Sequence, residues 1–419
     1  MKDETKKETP DFKKTLEESK PDFLTELDEY RLKKTISEAT AQAQDDSSPV
    51  AVDEDKTPKL LELKDRKEAL QKLRFEIDSI QQVGRKVWET GIKQLDEALG
   101  GGFLPKQLIT LGAITGLGKS TLALQIADHV AAQGKDVLYI SLEMDDDELL
   151  ARSISRETFL LTCDDDVRKR SRLTTLDILT GQVGAPNTEK RKLFDEAVTK
   201  TQELDRHLKY IIGENNVDVK AISDTVRQYK EGGRSPLVIV DYLQIMREDE
   251  DGHWTDKRLL TDEQVTTLKT LARDLEVPVV LVSAFNRESN LQPVTAGSFK
   301  ESSGIEYSSD VLLGLQRSGQ DFQKREGKDG SLHYESQTEH DNRVRELQDR
   351  AGLYPDKLDK TDMIIKLELK VLKARYRPKK KVGLDFHSAY NYFEEFTEKL
   401  EEAPEAQGFD DDSDIVTLD

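Results

Sequence analysis

Covalent cross-links are nearly absent from what this sequence can make. One cysteine, Cys163, in 419 residues excludes an intrachain disulfide and a multi-cysteine zinc site, and it reads as an ordinary small residue beside a surface loop. Long apolar runs are missing too. No stretch approaches the length that spans a bilayer, and the start Met1-Lys-Asp-Glu-Thr-Lys-Lys7 lacks the apolar core of a secretory signal, so a cytoplasmic protein without a membrane partner is expected. Hydrophobic residues are 36% of the chain against 35% charged, a polar balance for one packed body, which places part of the chain outside the core. The ends supply the excess. Residues 1–60 hold 16 acidic and 11 basic side chains, and residues 394–419 hold 11 acidic against one lysine, together about three quarters of the net charge of −20. The middle is only mildly acidic, so the overall charge does not exclude a local basic groove for nucleic acid.

Length allows one large α/β domain with extensions, or two modest domains. Residues 1–58 are charged and Ser/Thr/Ala-rich without sustained periodicity, apart from a candidate helix near 24–36, and read as a disordered extension. In 59–84, Leu63, Leu70, Leu73, Ile77 and Ile80 recur at three- and four-residue spacing, which describes an amphipathic linker helix. Its apolar face packs on its own domain or on a neighbouring subunit; spacing alone leaves both open. Across 85–395, short β-rich runs alternate with helical stretches, the pattern of a mostly parallel α/β sheet flanked by helices. Strands are expected at 107–112, 136–142, 208–212, 237–241, 277–283, 311–316, 363–372 and 380–386, and helices at 119–133, 145–158, 188–203, 219–231 and 261–275. Residues 318–362 form a charged, exposed, helical insertion, and 396–419 an acidic tail.

The chemistry concentrates in three strand ends. Ala113-Ile-Thr-Gly-Leu-Gly-Lys-Ser-Thr121 follows an apolar strand and opens a helix, the arrangement that wraps backbone N–H groups around a phosphate. Gly116 and Gly118 permit the turn, Ala113 replaces the usual first glycine, and Thr115 and Thr121 flank the cradle. Lys119 neutralises β/γ-phosphate charge, and the Ser120 hydroxyl faces Mg²⁺. The chain is thus expected to be a P-loop, RecA-like nucleoside triphosphatase using ATP and Mg²⁺. Pro236-Leu-Val-Ile-Val-Asp241 is a buried strand delivering Asp241 to the carboxyl edge of the sheet, where it holds the same metal. Val137-Leu-Tyr-Ile-Ser-Leu142 delivers Glu143 there, either to deprotonate the attacking water or merely to cap the helix beginning at Asp145. Arg152 either reaches the nucleotide or forms a surface salt bridge. The basic run Val371-Leu-Lys-Ala-Arg-Tyr-Arg-Pro378 is a solvated edge in an isolated domain, whereas in a ring it can supply positive charge to a neighbour's site.

From about Glu89 to Phe393 these pieces, in this order, resemble the C-terminal motor domain of DnaB-type replicative helicases. The matching residues are Thr90-Gly-Ile-Lys-Gln-Leu-Asp96, the alanine opening the phosphate loop, Ser141-Leu-Glu-Met144, Asp241-Tyr-Leu-Gln244, Val277-Pro-Val-Val280 and Asn286-Arg287. Phe299-Lys-Glu-Ser-Ser-Gly-Ile-Glu306, Ser309-Asp310 and Lys373-Ala-Arg375 complete the set. The wording of 120–127, 153–157 and 305–312 looks like helicase-like proteins of Gram-positive phages and mobile elements. The resemblance implies an ATP-driven ring, a hexamer of identical chains, moving on single-stranded DNA. It implies catalytic roles for Lys119, Asp241 and Glu143, with Lys373 and Arg375 acting in trans and Arg375 as the finger, and a nucleotide contact from Gln244. Arg287, Lys300, Glu301, Ser303 and Gly304 align with the single-strand contacts. Primase, a loader or other replication proteins are candidate partners for the N-terminal extension or the acidic tail. Two departures stand out. Ala284 replaces the family glutamine that senses the γ-phosphate, with Gln244 or Ser283 as stand-ins, and residues 1–58 are too short and polar to be the family's folded N-terminal domain.

Overall fold

Apolar runs rich in Val, Ile and Leu, alternating with amphipathic stretches, build a sheet covered on both faces. The computed structural model describes residues 65–213, 217–241, 257–286, 291–299, 302–326, 332–353, 364–375 and 377–396. The extension 1–58 and the acidic tail from residue 397 onward lie outside them, as do Gln244, Arg287, Lys300 and Glu301.

Strands are β1 (Leu108–Ala113), β2 (Val137–Ser141), β3 (Leu208–Ile212), β4 (Leu237–Asp241), β5 (Val279–Ala284), β6 (Val311–Arg317), β7 (Lys324–Glu326), β8 (Leu332–Tyr334), β9 (Ile364–Ala374), β10 (Lys381–His387) and β11 (Tyr392–Glu395). Helices are α1 (Arg66–Val83), α2 (Lys93–Leu99), α3 (Lys119–Ala132), α4 (Asp146–Leu160), α5 (Thr175–Leu179), α6 (Glu189–Gln202), α7 (Val219–Glu231), α8 (Lys257–Asp274), α9 (Ser302–Ser308) and α10 (Gln337–Leu353). The main sheet runs β11-β10-β9-β6-β1-β5-β4-β2-β3. Its pairs from β6 to β3 are parallel, and β9, β10 and β11 extend it antiparallel beyond β6. This is the mostly parallel α/β sheet expected from the pattern.

Period-two alternation divides each central strand between two cores. Val137 and Tyr139 of β2 join α2, α3 and the β9–β10 hairpin on one face. Leu138 and Ile140 join α7 and α8 on the other. Helix α1 has no buried residue; Leu70, Leu73 and Phe75 are 50%, 52% and 75% exposed. No described helix is long and apolar enough to cross a membrane.

The described part of segment 318–362 adds a hairpin to the exposed helix expected of it. The hairpin β7–β8 precedes α10, and a polar core joins them: His340 is fully buried, stacks on Phe322 at 4.0 Å and bonds the Gln320 carbonyl at 2.8 Å. The Arg343 guanidinium holds the buried Glu335 carboxylate at 2.5 Å. Charges that look solvated in sequence are buried here because they pair. Hydrogen bonds from Arg343 hold the Glu335 carboxyl at about 2, well below its ordinary 4.5. A depressed carboxyl stabilises the fold above its unfolded value and ceases to do so as pH falls through its folded one. Amide protection factors in α10 should therefore decline from pH 4.5 toward about 2, and Glu335→Gln should lower them already at neutral pH and flatten the decline.

Candidate active site

The carboxyl edge of the parallel strands collects the chemistry. The phosphate loop leaves β1 at Ala113; Thr115 and Gly116 are exposed, and Gly116 and Gly118 take φ of +87° and +82°. These left-handed turns lead into the N-terminus of α3, where backbone N–H groups and the helix dipole favour an anion. The two glycines differ in surroundings. A Cβ on Gly116 would meet nothing within 4 Å, whereas one on Gly118 would come within 2.9 Å of both the Phe386 and Phe393 rings. Those rings stack at 4.2 Å, and Phe393 is clamped through its backbone N–H and carbonyl by Gln125 of α3 at 2.7 and 2.8 Å. The loop thus rests on β10 and β11. Gly118→Ala, which strains φ and also collides, should lower the melting temperature by several degrees more than Gly116→Ala, which adds backbone strain of about 1–2 kcal/mol; differential scanning calorimetry checks the order.

Asp241 ends β4 in register with Ser141 of β2. Its side chain is fully buried, with Oδ1 accepting from the Ser120 hydroxyl at 3.0 Å and Oδ2 from the Tyr139 hydroxyl at 2.6 Å. Burial pushes its carboxyl above the ordinary range; the two hydrogen bonds and the Lys119 charge pull it down, and the nearby Glu143 charge pushes it up. Lys119, Ser120, Asp241 and Glu143 are therefore electrostatic neighbours. Glu143 is exposed, on a turn closed by Ser141, whose hydroxyl donates to the Met144 carbonyl at 2.6 Å. Helix α4 is capped by Asp145, which accepts from the Glu148 N–H at 2.8 Å. The capping alternative considered for Glu143 thus belongs to Asp145. Arg152 donates to Thr121 Oγ1 at 3.1 Å and to Glu148 at 2.6 Å, so it braces the phosphate-loop helix as well as forming a salt bridge. Ser283 is buried at the end of β5, and Ala284 pairs with Ala113 beside the loop.

Hard oxygen donors from Ser120 and Asp241 at a helix N-terminus suit Mg²⁺, which takes one or two protein ligands and completes its shell with water and phosphate. No cluster of three or more His, Cys, Asp or Glu that could hold a metal by itself occurs among the described residues.

Lys373 and Arg375 lie at the opposite edge. Arg375 bonds Asp310 through its side chain (3.1 Å) and its backbone N–H (3.3 Å), and Asp310 in turn accepts from the N–H of Leu108, the first residue of β1, at 2.8 Å. Leu108 to Ala113 is the full length of β1, about 17 Å at roughly 3.3 Å per residue. Arg375 is 55% exposed, Lys373 donates to the Glu306 carbonyl at 2.5 Å, and Arg377 lies over Gly100. Burial and the Arg375 charge lower the Lys373 pKa. Ser303 and Gly304 fall in α9, where Gly304 packs directly on Asp262 of α8.

The model of the DnaB-like helicase C-terminal domain matches residues 88–395. The chain belongs to this family. Proteins named replicative DNA helicase DnaB are similar to it: that of Haemophilus influenzae is 30% identical over 234 residues and that of Leifsonia xyli subsp. xyli 32% over 233, in both cases 54% of this chain and 46% of the relative. The chain thus spans about half the length of these curated relatives. A solved ATPase domain superposes with TM-score 0.58 at 20% identity, covering 79% of this chain and 99% of that one. A solved DnaB-like replicative helicase, described with its interactions with primase, gives 0.57 at 20% identity over 79% and 67%. At that identity the likeness fixes the fold, the RecA-like arrangement of this DnaB-like domain.

One polar group of the site escaped the sequence reading. Tyr139 looks like one more bulky residue in an apolar strand, yet a phenol in a strand buried on both faces needs a partner for its hydroxyl. That requirement was the available signal.

Proposed function

We propose that this DnaB-like chain is an ATP-driven translocase and helicase on single-stranded DNA, working as a ring of six identical subunits with nucleotide bound between neighbours. One observation carries the reading: the phosphate loop, Asp241 and Glu143 occupy one edge of the sheet while Arg375 occupies the other. No side chain bridges a strand's length, so Arg375 serves a nucleotide only across a subunit boundary.

In this reading Lys119 and the loop N–H groups hold the phosphates, and Ser120 and Asp241 hold Mg²⁺, which neutralises phosphate charge. Glu143 accepts a proton from the attacking water, and the neighbour's Arg375 meets the charge that develops on the transferred group. Lys373 donates to the Glu306 and Tyr307 carbonyls of α9, the helix that holds Ser303 and Gly304; these two, with Lys300, Glu301 and Arg287, are assigned to the DNA phosphates. Thr115, Thr121, Arg152 and Gln244 are assigned to nucleotide binding. Service to a phage or mobile element rests on the wording of 120–127, 153–157 and 305–312 alone, and primase or a loader remain proposed partners.

Native mass with an ATP analogue and single-stranded DNA tests the ring: a hexamer is expected, and a monomer under those conditions would sink the reading. Lys119→Ala should abolish ATPase activity and forked-DNA unwinding together. Hydrolysis without unwinding by the unaltered chain would favour a remodelling ATPase instead.

A further inference from the structure

The two residues assigned to Mg²⁺ come from different elements, Ser120 from α3 and Asp241 from β4, and a third element joins them. Tyr139, central in β2, is fully buried; its hydroxyl donates to Asp241 Oδ2 at 2.6 Å and lies 3.4 Å from the Ser120 carbonyl oxygen. Its ring is braced edge-on by Tyr210 of β3 at 6.1 Å. A carboxylate at the end of a strand can rotate about its terminal bond, and a buried one turns toward whatever donors it finds. Here both oxygens are engaged from opposite sides, Oδ1 by Ser120 and Oδ2 by Tyr139, which fixes the plane of the carboxylate. The Ser120 oxygen, having given its hydrogen to Oδ1, keeps its lone pairs for a cation.

We propose that Tyr139 is a positioning residue for the metal-binding carboxylate: its hydroxyl locks Asp241 in the orientation that presents Oδ1 and the Ser120 hydroxyl as one preformed oxygen site for Mg²⁺. This rests on the assignment of Ser120 and Asp241 to the metal. Partners that orient a metal ligand from behind typically contribute about 10–100-fold in metal affinity. Phenylalanine at this position keeps the ring, its packing against Tyr210 and the apolar surroundings, and removes only the donor.

The test uses the full chain and a fluorescent ADP analogue, titrated with Mg²⁺ from EDTA-treated protein. Tyr139→Phe is expected to bind the analogue in EDTA as the unaltered chain does, and to need about ten-fold more Mg²⁺ for the half-maximal metal-dependent change. Direct Mn²⁺ binding followed by electron paramagnetic resonance should weaken by a similar factor in the nucleotide complex. Coincident Mg²⁺ midpoints for the two proteins would overturn the proposal, including the case in which Tyr139→Phe merely melts at lower temperature, since that is what a packing role alone produces. Asp241→Asn separates the two levels. If it leaves the Mg²⁺ response of the unaltered chain in place, the metal assignment fails and Tyr139 with it. If it abolishes the response while Tyr139→Phe does not move it, only the role of Tyr139 fails.

Discussion

Arg375→Ala is expected to bind nucleotide with unchanged affinity in its own phosphate loop and to hydrolyse it about 10³-fold more slowly, the lower end of what a trans-acting arginine contributes. The geometry gives both halves of this expectation. Arg375 is remote from its own loop by the length of β1, so nothing in cis depends on it for binding. Its side chain is more than half exposed and paired with Asp310, while Lys373 is tied to α9 and Arg377 lies over Gly100, which leaves Arg375 as the guanidinium best placed to leave the surface. Steady-state ATPase in the presence of single-stranded DNA, with nucleotide affinity measured separately, checks it. A loss of affinity with unchanged turnover would place Arg375 in binding and remove it from the transition state.

Glu143→Gln is expected to reduce turnover by about 10²–10⁴-fold, the usual contribution of a positioned general base, with nucleotide binding retained. Glutamine keeps the shape and cannot accept the proton. Glu143 is exposed on the turn after β2, close enough to Asp241 for its charge to be felt there, and Asp145 takes the capping role that would have explained it away. A single-turnover experiment with excess enzyme isolates the step. Turnover within a few-fold of the unaltered chain would mean that water is prepared by another group.

Much of the fold was legible because its main strands are continuous apolar runs. Leu237–Asp241 reads as a buried parallel strand ending in an acid because each residue before Asp241 is apolar, and the structure buries all five. The elements not anticipated are short or charged. Helix α2 has seven residues and is held by Asp96, which accepts from the Thr90 N–H at 2.8 Å, a local tie that no periodicity reveals. Strand β11 reads Tyr-Phe-Glu-Glu, polar enough to pass for the start of the tail, and exists because it pairs with β10 and seats Phe393 against Gly118. The hairpin β7–β8 has only three residues in each strand, too few for a visible alternation, and the burial of Glu335 and His340 depends on partners that sequence does not place.

The candidate site divides the same way. Lys119, Ser120 and Asp241 were readable from strand, turn and helix order, and the structure brings Glu143 beside them. That Arg375 belongs to the far edge required the antiparallel return of β9 along β6, which pairs Val311 with Ala374. Tyr139 required knowing which face of β2 looks at Asp241.

The most direct test of a site built by two subunits is to mix two inactive proteins. Glu143→Gln subunits lack the base and keep the finger; Arg375→Ala subunits keep the base and lack the finger. In rings assembled from equal amounts, about one boundary in four joins an intact base to an intact finger if subunits mix at random. ATPase activity should rise to roughly a quarter of that of the unaltered protein, far above either variant alone. Activity no greater than the average of the two separate variants, in rings shown by native mass to be mixed, would contradict the shared site.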